Sequence, residues 1–432
     1  MEIKVSKVTR VEGHGNLTLL ARDGKVEDVR FDVVESLRFF ETMLLGRWWD
    51  RVPEIASRIC GICAVAHTLA AVKAVESAMG VVPGELAVKL RRIALDGEVI
   101  QSNSLHVYYL AGPDFFGQPD VFHMIADHGD LVRIALRVKA TGNLLSETIG
   151  GRHVHPLNLV VGGVSRLPRR DALAALVPKL RQCKQDLLDS VPTLKSVQVP
   201  ELERPTEYVA LAKAGEYPFY DGEIRSSASD GLLPPADYGR VVHEYMTPTG
   251  TAKHSHGPGG GPYMVGALAR FNLNAGALTA DARQVAEDLG LRPPVHRPYM
   301  ITMAQFAECV HCVDDALRLV GEVLDTNFRD TDPAGTKVFP KAGRGVGIVE
   351  APRGMLIHDY TFDDDARVAA ANQVIPTAQN LANLQRDLEA LAPGIIGLPA
   401  DDVRLRLEML VRAYDPCISC SAHVLEMNQE RR

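Results

Sequence analysis

The sequence predicts a mainly helical α+β protein, on three observations. Long stretches carry apolar residues at helical spacing between Gly and Pro stops. Strand-like segments are short and gather near the start. Two Cys-x-x-Cys pairs stand roughly 350 residues apart, so a site shared between them would join the two ends of one interlocked unit. The 432 residues, 46% hydrophobic and 23% charged, hold ample material for a large core and exclude disordered and fibrous classes. A formal net charge of -7 gives no general attraction to nucleic acid or to an anionic membrane surface. The first residues lack the apolar core of a signal peptide, and no later run has the length of a membrane helix.

Taken in order, 4–8, 17–20 and 26–34 read as strands, separated by Gly13, Gly15 and the Asp23-Gly24 turn. Strong helix formers run from Ala64 to a stop at Gly80, with Pro83 beyond. Further helices are expected at about 84–111, 127–150, 171–190, 275–290, 300–325, 377–391 and 402–414, and loops at 150–168, 247–263 and 328–355. The glycines at 343, 345 and 347 have the wrong spacing for a dinucleotide fingerprint and no helical pattern behind them, so a turn between strands is expected. The stretch from His254 through His256 to Pro262 reads as a surface loop in preference to a two-histidine metal site.

The seven cysteines stand at 60, 63, 183, 309, 312, 417 and 420, so six fall in Cys-x-x-Cys pairs. Random placement would give roughly 0.1 such pairs. Without a signal peptide, that spacing points to metal ligation or redox chemistry and away from a secreted disulfide framework. Cys60, Cys63 and His67 are three and four residues apart, so on a helix they would share one face, and a helix N-terminus favours the thiolate that binds metal. The second motif, Asp415-Pro416-Cys417-Ile418-Ser419-Cys420-Ser421-Ala422-His423, repeats two thiols followed by an imidazole, on a turn after an amphipathic helix. Four thiolates suit zinc, iron with sulfur, or nickel. The long separation favours a buried catalytic centre over a local zinc staple, and structural zinc or a dithiol switch stay open. The third pair, Cys309 and Cys312, lies inside a helical pattern and reads as buried free thiols.

At these motifs the sequence resembles a known family, the large, catalytic subunit of NiFe hydrogenases. The resemblance spans essentially the whole chain through five ordered motifs: Arg10-Val11-Glu12-Gly13-His14, the segment from Arg58 to His67, Gly151-Arg152-His153-Val154-His155-Pro156, Glu350-Ala351-Pro352-Arg353-Gly354, and the segment from Asp415 to His423. Two stretches, 252–256 and 413–421, resemble the cytoplasmic, NADP-linked bidirectional branch, also called sulfhydrogenases. The resemblance implies reversible heterolytic cleavage of H2 and a fold in which both cysteine motifs meet at a buried bimetallic centre. It implies that Cys60 and Cys417 are terminal ligands of nickel, and that Cys63 and Cys420 bridge nickel to an iron carrying carbon monoxide and two cyanides. Soft thiolates donating to such a pair agree with that chemistry.

The same resemblance makes Glu12 the proton-transfer carboxylate, places Arg353 over the open metal position with Asp415 as its partner, and makes His67 a donor to a bridging sulfur. It assigns Thr377 to a cyanide nitrogen, and Glu41 and His423, with a carbonyl near 374–375, to a magnesium or similar divalent ion. Ala64, Ala267 and the Ser102-Asn103 pair depart from the family pattern, which puts the surroundings of the ligands in doubt and leaves the ligands alone.

Only Cys183, Cys309 and Cys312 remain after the four ligands, too few for a four-cysteine iron-sulfur cluster. The resemblance therefore implies an iron-sulfur small subunit joined, for this branch, by diaphorase subunits carrying FAD and NADP, in the cytoplasm. It further implies one domain over 1–423 and a tail, 424–432, removed after His423 by a maturation endopeptidase. A hydrogen-sensing regulatory subunit would keep the same ligands, whereas a quinone-side scaffold of the same fold would have lost the cysteines.

Overall fold

Residues 2–5, 15–22 and 25–33 form an antiparallel three-stranded sheet in sequence order, with Ile3 opposite Leu19 and Leu17 opposite Phe31. Alternation along Gly15–Arg22 buries Leu17, Leu19 and Ala21 on one face, the period-two pattern of a half-covered sheet. The structure is a computed structural model and describes residues 1–422. His423 and the tail 424–432 lie outside the described residues, and with them two expectations, the histidine ligand and the tail's removal.

The Ala64–Met79 helix is buried on nearly all sides, as its Ala- and Val-rich sequence requires. Four long helices, Glu85–Ser104, Ile125–Gly150, Arg170–Lys195 and Ile301–Asp325, pack against one another, and the first of them also lies against the Ala64–Met79 helix. The helix expected over 84–111 continues only as far as Ser104, after which Leu105–Ala111 widens into a π-helical segment. The expected 275–290 helix is two pieces, a turn at Ala275–Ala277 and a helix at Ala280–Asp288, with Ala267–Asn274 helical before them. The C-terminal helices are Pro376–Ile395 and Ala400–Ala413. One large cluster of buried apolar side chains runs from Ile3 to Cys420, and a second, smaller one gathers Val209, Leu211, Ile224, Tyr263, Ile348 and Ile357. Among the described residues no helix is long and apolar enough to cross a membrane.

The expected loop at 328–355 is corrected by the structure. Gly343–Ala351 is a strand, paired antiparallel with Gly354–Phe362, which pairs in turn with Val368–Val374. Its glycines conceal the strand pattern because they serve packing: a Cβ at Gly345 or Gly347 would overlap the backbone of the Ala64–Met79 helix at Ala74 and Ala70. The sheet thus lies directly on the helix that carries His67. The loop expected at 247–263 likewise contains a strand, Lys253–His256, in a hairpin with His243–Met246, because Lys253 and Ser255 turn inward. Gly347→Ala is expected to destabilise the chain by about 3 kcal/mol through overpacking against rigid backbone. Gly394→Ala, with open space around its Cβ in the Pro376–Ile395 helix, should be neutral or stabilising. Thermal unfolding of the two variants measures the difference.

Candidate metal centre

The first cysteine pair sits on a turn between the Val52–Ser57 helix and the Ala64–Met79 helix, with Cys63 at the N-cap. Cys60, Cys63 and His67 therefore do not share a helical face: both thiols precede the helix, and only His67 lies on it. The backbone N–H groups of Ile62 and Cys63 both donate to Cys60 Sγ at 3.2 Å. Buried Glu98 accepts the free N–H groups of Val65 and Ala66 (2.6 and 2.9 Å), which fixes the first helical turn. Burial pushes the Glu98 carboxyl up to about 8.

The second pair follows Asp415, which adopts a left-handed conformation at φ 48° before Pro416. Glu12 meets it at an isolated β-bridge with Cys417, after which Ile418–Ser421 turns helical: Ile418 N–H donates to the Glu12 carbonyl at 2.9 Å, Ser419 N–H donates to Glu12 Oε2 at 3.0 Å, and the Ser419 hydroxyl donates to Oε1. Gly13, at φ 84°, is required here because a Cβ would meet Ile418 Cβ at 2.7 Å and Ser419 N at 2.8 Å. Arg38 joins the two motifs, donating to the carbonyls of Ile59 (2.5 Å), Arg58 (3.1 Å) and Ser419 (3.4 Å).

So positioned, the four sulfurs Cys60, Cys63, Cys417 and Cys420 are all buried and lie within 4.8 Å of one another. Cys60 and Cys417 are 3.5 Å apart, Cys63 and Cys420 3.8 Å, and Cys417 and Cys420 2.6 Å. A metal about 2.3 Å from tetrahedral thiolates would set them about 3.8 Å apart, so the Cys60–Cys417 and Cys63–Cys420 separations fit soft-metal ligation, while Cys417 and Cys420 stand closer together than such a metal would hold them. Charge makes the same demand. Hydrogen bonds from Cys417, Cys420 and Cys63 hold the Cys60 thiol well below its ordinary range, whereas Cys417, bonded to Cys420, and Cys420, by burial, are pushed well above theirs. Cys63 rises to about 11: hydrogen bonds to Cys417 and Cys420 pull it down, but Cys60 and burial outweigh them. Four thiolates can coexist in this space only against a cationic metal.

Arg353 sets a guanidinium beside the sulfurs. It donates to Asp415 Oδ1 (2.8 Å), to the Asp415 carbonyl (2.7 Å) and to Ser102 Oγ (3.3 Å). Burial opposes its charge, but Asp415 and the thiolates of Cys417, Cys63 and Cys60 more than offset that, so it stays a cation. Buried Arg270 braces its segment, donating to the carbonyls of Ala351 (3.0 Å) and Pro352 (2.9 Å) and to Glu308 and Glu350. Thr377 stands against the second pair, its hydroxyl oxygen accepting Cys417 N–H at 2.9 Å while its own proton stays available. His67 is buried, and desolvation lowers it to about 4, which keeps the ring neutral.

Glu41 belongs to a separate polar pocket. Its Oε1 accepts from Lys253 Nζ (3.2 Å) and from Gln373 N–H (2.8 Å), and Lys253 also reaches Glu244 at 3.2 Å. Glu41 Oε2, Gln373 Oε1 and Glu244 Oε1 are buried with no hydrogen-bond partner among the described residues. Unpaired buried oxygens around one carboxylate suit a hard cation. Cys309, Cys312 and Cys183 are buried elsewhere in the core, and no candidate metal cluster among the described residues includes them.

Arg38, Glu98 and Arg270 escape sequence reasoning. A lone Arg or Glu carries no spacing signal, and Arg270 shows its role only once the Glu350–Arg353 segment lies beside it.

Comparison with known proteins agrees with this geometry. A family model described as nickel-dependent hydrogenase matches residues 38–127 and 260–423. The alpha subunit of sulfhydrogenase 2 from Pyrococcus furiosus is 35% identical over 99% of this chain and 100% of its own length. The alpha subunit of sulfhydrogenase 1 from the same organism is 33% identical over 99% of this chain and 99% of its own. One subunit of the F420-non-reducing hydrogenase of Methanothermobacter thermautotrophicus is 32% identical over 99% of this chain and 95% of its own. A crystal structure of an NAD+-reducing [NiFe]-hydrogenase in the H2-reduced state superposes with a TM-score of 0.86 at 29% identity, covering 98% of this chain and 99% of that one.

Proposed function

Because this chain belongs to the nickel-dependent hydrogenase family, as a catalytic large subunit, we propose that its thiolates divide their roles, Cys60 and Cys417 terminal on nickel, Cys63 and Cys420 bridging to an iron that carries carbon monoxide and two cyanides. The single observation behind this reading is the convergence of four buried sulfurs from both ends of the chain within 4.8 Å. When bound, the metal pair supplies the position at which H2 is split heterolytically.

The chain supplies the rest. Glu12 takes up the released proton at its carboxylate, which Ser419 holds between the two C-terminal ligands. Arg353, a fixed cation locked by Asp415, balances the anionic cluster electrostatically, and its guanidinium is too hard to deprotonate to act as the base. Thr377 directs its hydroxyl proton toward a cyanide nitrogen. His67 donates to a bridging sulfur. Glu41 and His423, with a backbone carbonyl near 374–375, hold a magnesium or similar ion, a reading supported by the unpaired buried Glu41 Oε2.

Electrons leave through a partner. The three remaining cysteines are buried and cannot form a cluster with the centre, and the relatives are each named as one of several subunits. An iron-sulfur small subunit docks where Gly61 and Arg58 reach the surface beside Arg38 and the exposed apolar Phe39. Diaphorase subunits with FAD and NADP, a cytoplasmic location, and removal of 424–432 by an endopeptidase complete the reading.

Elemental analysis and infrared spectra of the purified complex test it, followed by H2 turnover with a dye. Nickel and iron with cyanide and carbonyl bands and dye reduction are expected. Zinc alone would sink the proposal, and bands without turnover would mark a sensor.

A further inference from the structure

Asp415, the partner of Arg353, is held at two points by one closed ring of buried groups. Its backbone N–H donates to the Arg412 carbonyl at 2.8 Å, and its Oδ2 accepts from Gln305 Nε2 at 3.0 Å. Gln305 Oε1 meets His106 Nδ1, and His106 Nε2 returns to the same Arg412 carbonyl at 2.7 Å. His106, Gln305 and Asp415 are each at most 3% exposed. Three elements supply the ring. The π-helical segment Leu105–Ala111 carries His106, the start of the Ile301–Asp325 helix carries Gln305, and the last turn of the Ala400–Ala413 helix supplies the carbonyl.

Proton counting around the ring fixes the charge of the imidazole. A carbonyl oxygen only accepts, so His106 Nε2 carries a proton. Asp415 is a carboxylate held at Oδ1 by Arg353 at 2.8 Å, so its Oδ2 also only accepts, and the Gln305 amide must turn its nitrogen there. That leaves Gln305 Oε1, a third acceptor, against His106 Nδ1, which therefore carries a proton as well. With both nitrogens donating, His106 is an imidazolium. A neutral ring would oppose lone pairs at one nitrogen or the other, and a turned amide would oppose its oxygen to a carboxylate. The place suits the charge: the Arg412 carbonyl lies at the C-terminal end of a helix, where the backbone dipole favours a cation, and the Asp415 anion is one amide away.

An imidazolium donating to the amide oxygen polarises the amide, so Gln305 donates more strongly and takes up part of the Asp415 charge. Each part taken there leaves more of the Arg353 cation uncompensated by its partner. That guanidinium acts electrostatically on Cys417, Cys63 and Cys60.

We propose that His106 and Gln305 are positioning residues for the thiolate centre: His106, as a buried imidazolium, orients and polarises Gln305, and Gln305 fixes the Asp415 carboxylate and so sets how much of the Arg353 charge reaches the cluster. This inference rests on the nickel-iron reading of the four thiols. Less positive charge beside the cluster makes its reduction harder, so both residues raise the potential of the centre.

Redox titration of the purified holoenzyme complex at fixed pH, followed by its carbonyl and cyanide infrared bands, tests this. Gln305→Met keeps the length of the side chain and removes both the donor to Asp415 and the acceptor that the imidazolium needs. His106→Asn keeps a neutral donor toward Gln305 and removes the charge. In both, the midpoint potential should move to more negative values. Met303→Leu, a volume-conserving change at a buried position of the same helix, should leave it in place. An unmoved potential in either His106→Asn or Gln305→Met would overturn the inference, as would an equal displacement in Met303→Leu. If one of the two variants fails to load its metals, the other decides. Absence of the bands from the unaltered complex would instead overturn the nickel-iron reading beneath it.

Discussion

Cys420→Ser is expected to abolish H2 turnover and to leave the centre without its metals, while the chain stays folded. The replacement is nearly isosteric, and a buried hydroxyl among polarisable sulfurs costs about 1–3 kcal/mol, a modest loss for a core of this extent. The chemistry is less forgiving. A serine oxygen is hard, holds its proton at neutral pH and donates weakly to soft metals, so a bridge between two metals fails outright. Altering residues outside the ligand shell of a metal site commonly costs about 10–100-fold, and removing a ligand must exceed that. Cys312→Ser is the matched control: equally buried, in a Cys-x-x-Cys pair of the same spacing, and outside the four-sulfur cluster. Metal content, dye reduction under H2 and thermal unfolding of the two variants decide the matter. Full metal loading of Cys420→Ser would contradict the ligand assignment.

Glu12→Gln is expected to lower H2 oxidation and H/D exchange by about 10²–10⁴-fold, the usual contribution of a positioned acid or base, with nickel and iron content unchanged. The carboxylate oxygens accept from Ser419 N–H and from the Ser419 hydroxyl, and a glutamine oxygen can keep one of these bonds, so the local backbone is retained. An amide cannot take up the proton. Activity within about twofold of the unaltered enzyme would place the proton route elsewhere.

The sequence discloses the ligands because their chemistry leaves a spacing signal that survives without context. Three Cys-x-x-Cys pairs among seven cysteines stand out at once, and the pair in the middle of a helical pattern could be set aside from its surroundings. Helices with continuous periodicity, such as Ile301–Asp325, are legible for the same reason. Strands built on close packing are not. Gly345 and Gly347 read as loop residues because a strand normally presents side chains, and here the absence of side chains is what lets the helix approach. The pairing of Glu12 with the C-terminal motif is legible only as two motifs. That they form one β-bridge, and that Arg38 ties the C-terminal motif to the Arg58–Ile59 carbonyls, depends on contacts across nearly the full chain.

The meeting of residue 60 with residue 417 also has a temporal side. At synthesis rates of about 5–20 residues per second, Cys60 and Cys63 leave the ribosome roughly 20–70 s before Cys417 and Cys420 exist. During that interval the nascent chain offers two thiols and no complete site, and a dithiol is open to any soft cation or oxidant it meets. The loop to be closed spans 357 positions, yet its entropic cost grows only with the logarithm of its length. Distance along the chain therefore adds little to the stability problem and a great deal to the waiting time. Correct metallation of such a protein becomes a matter of order, with the helices between the two motifs assembled before the last four residues of the site can be brought to the first.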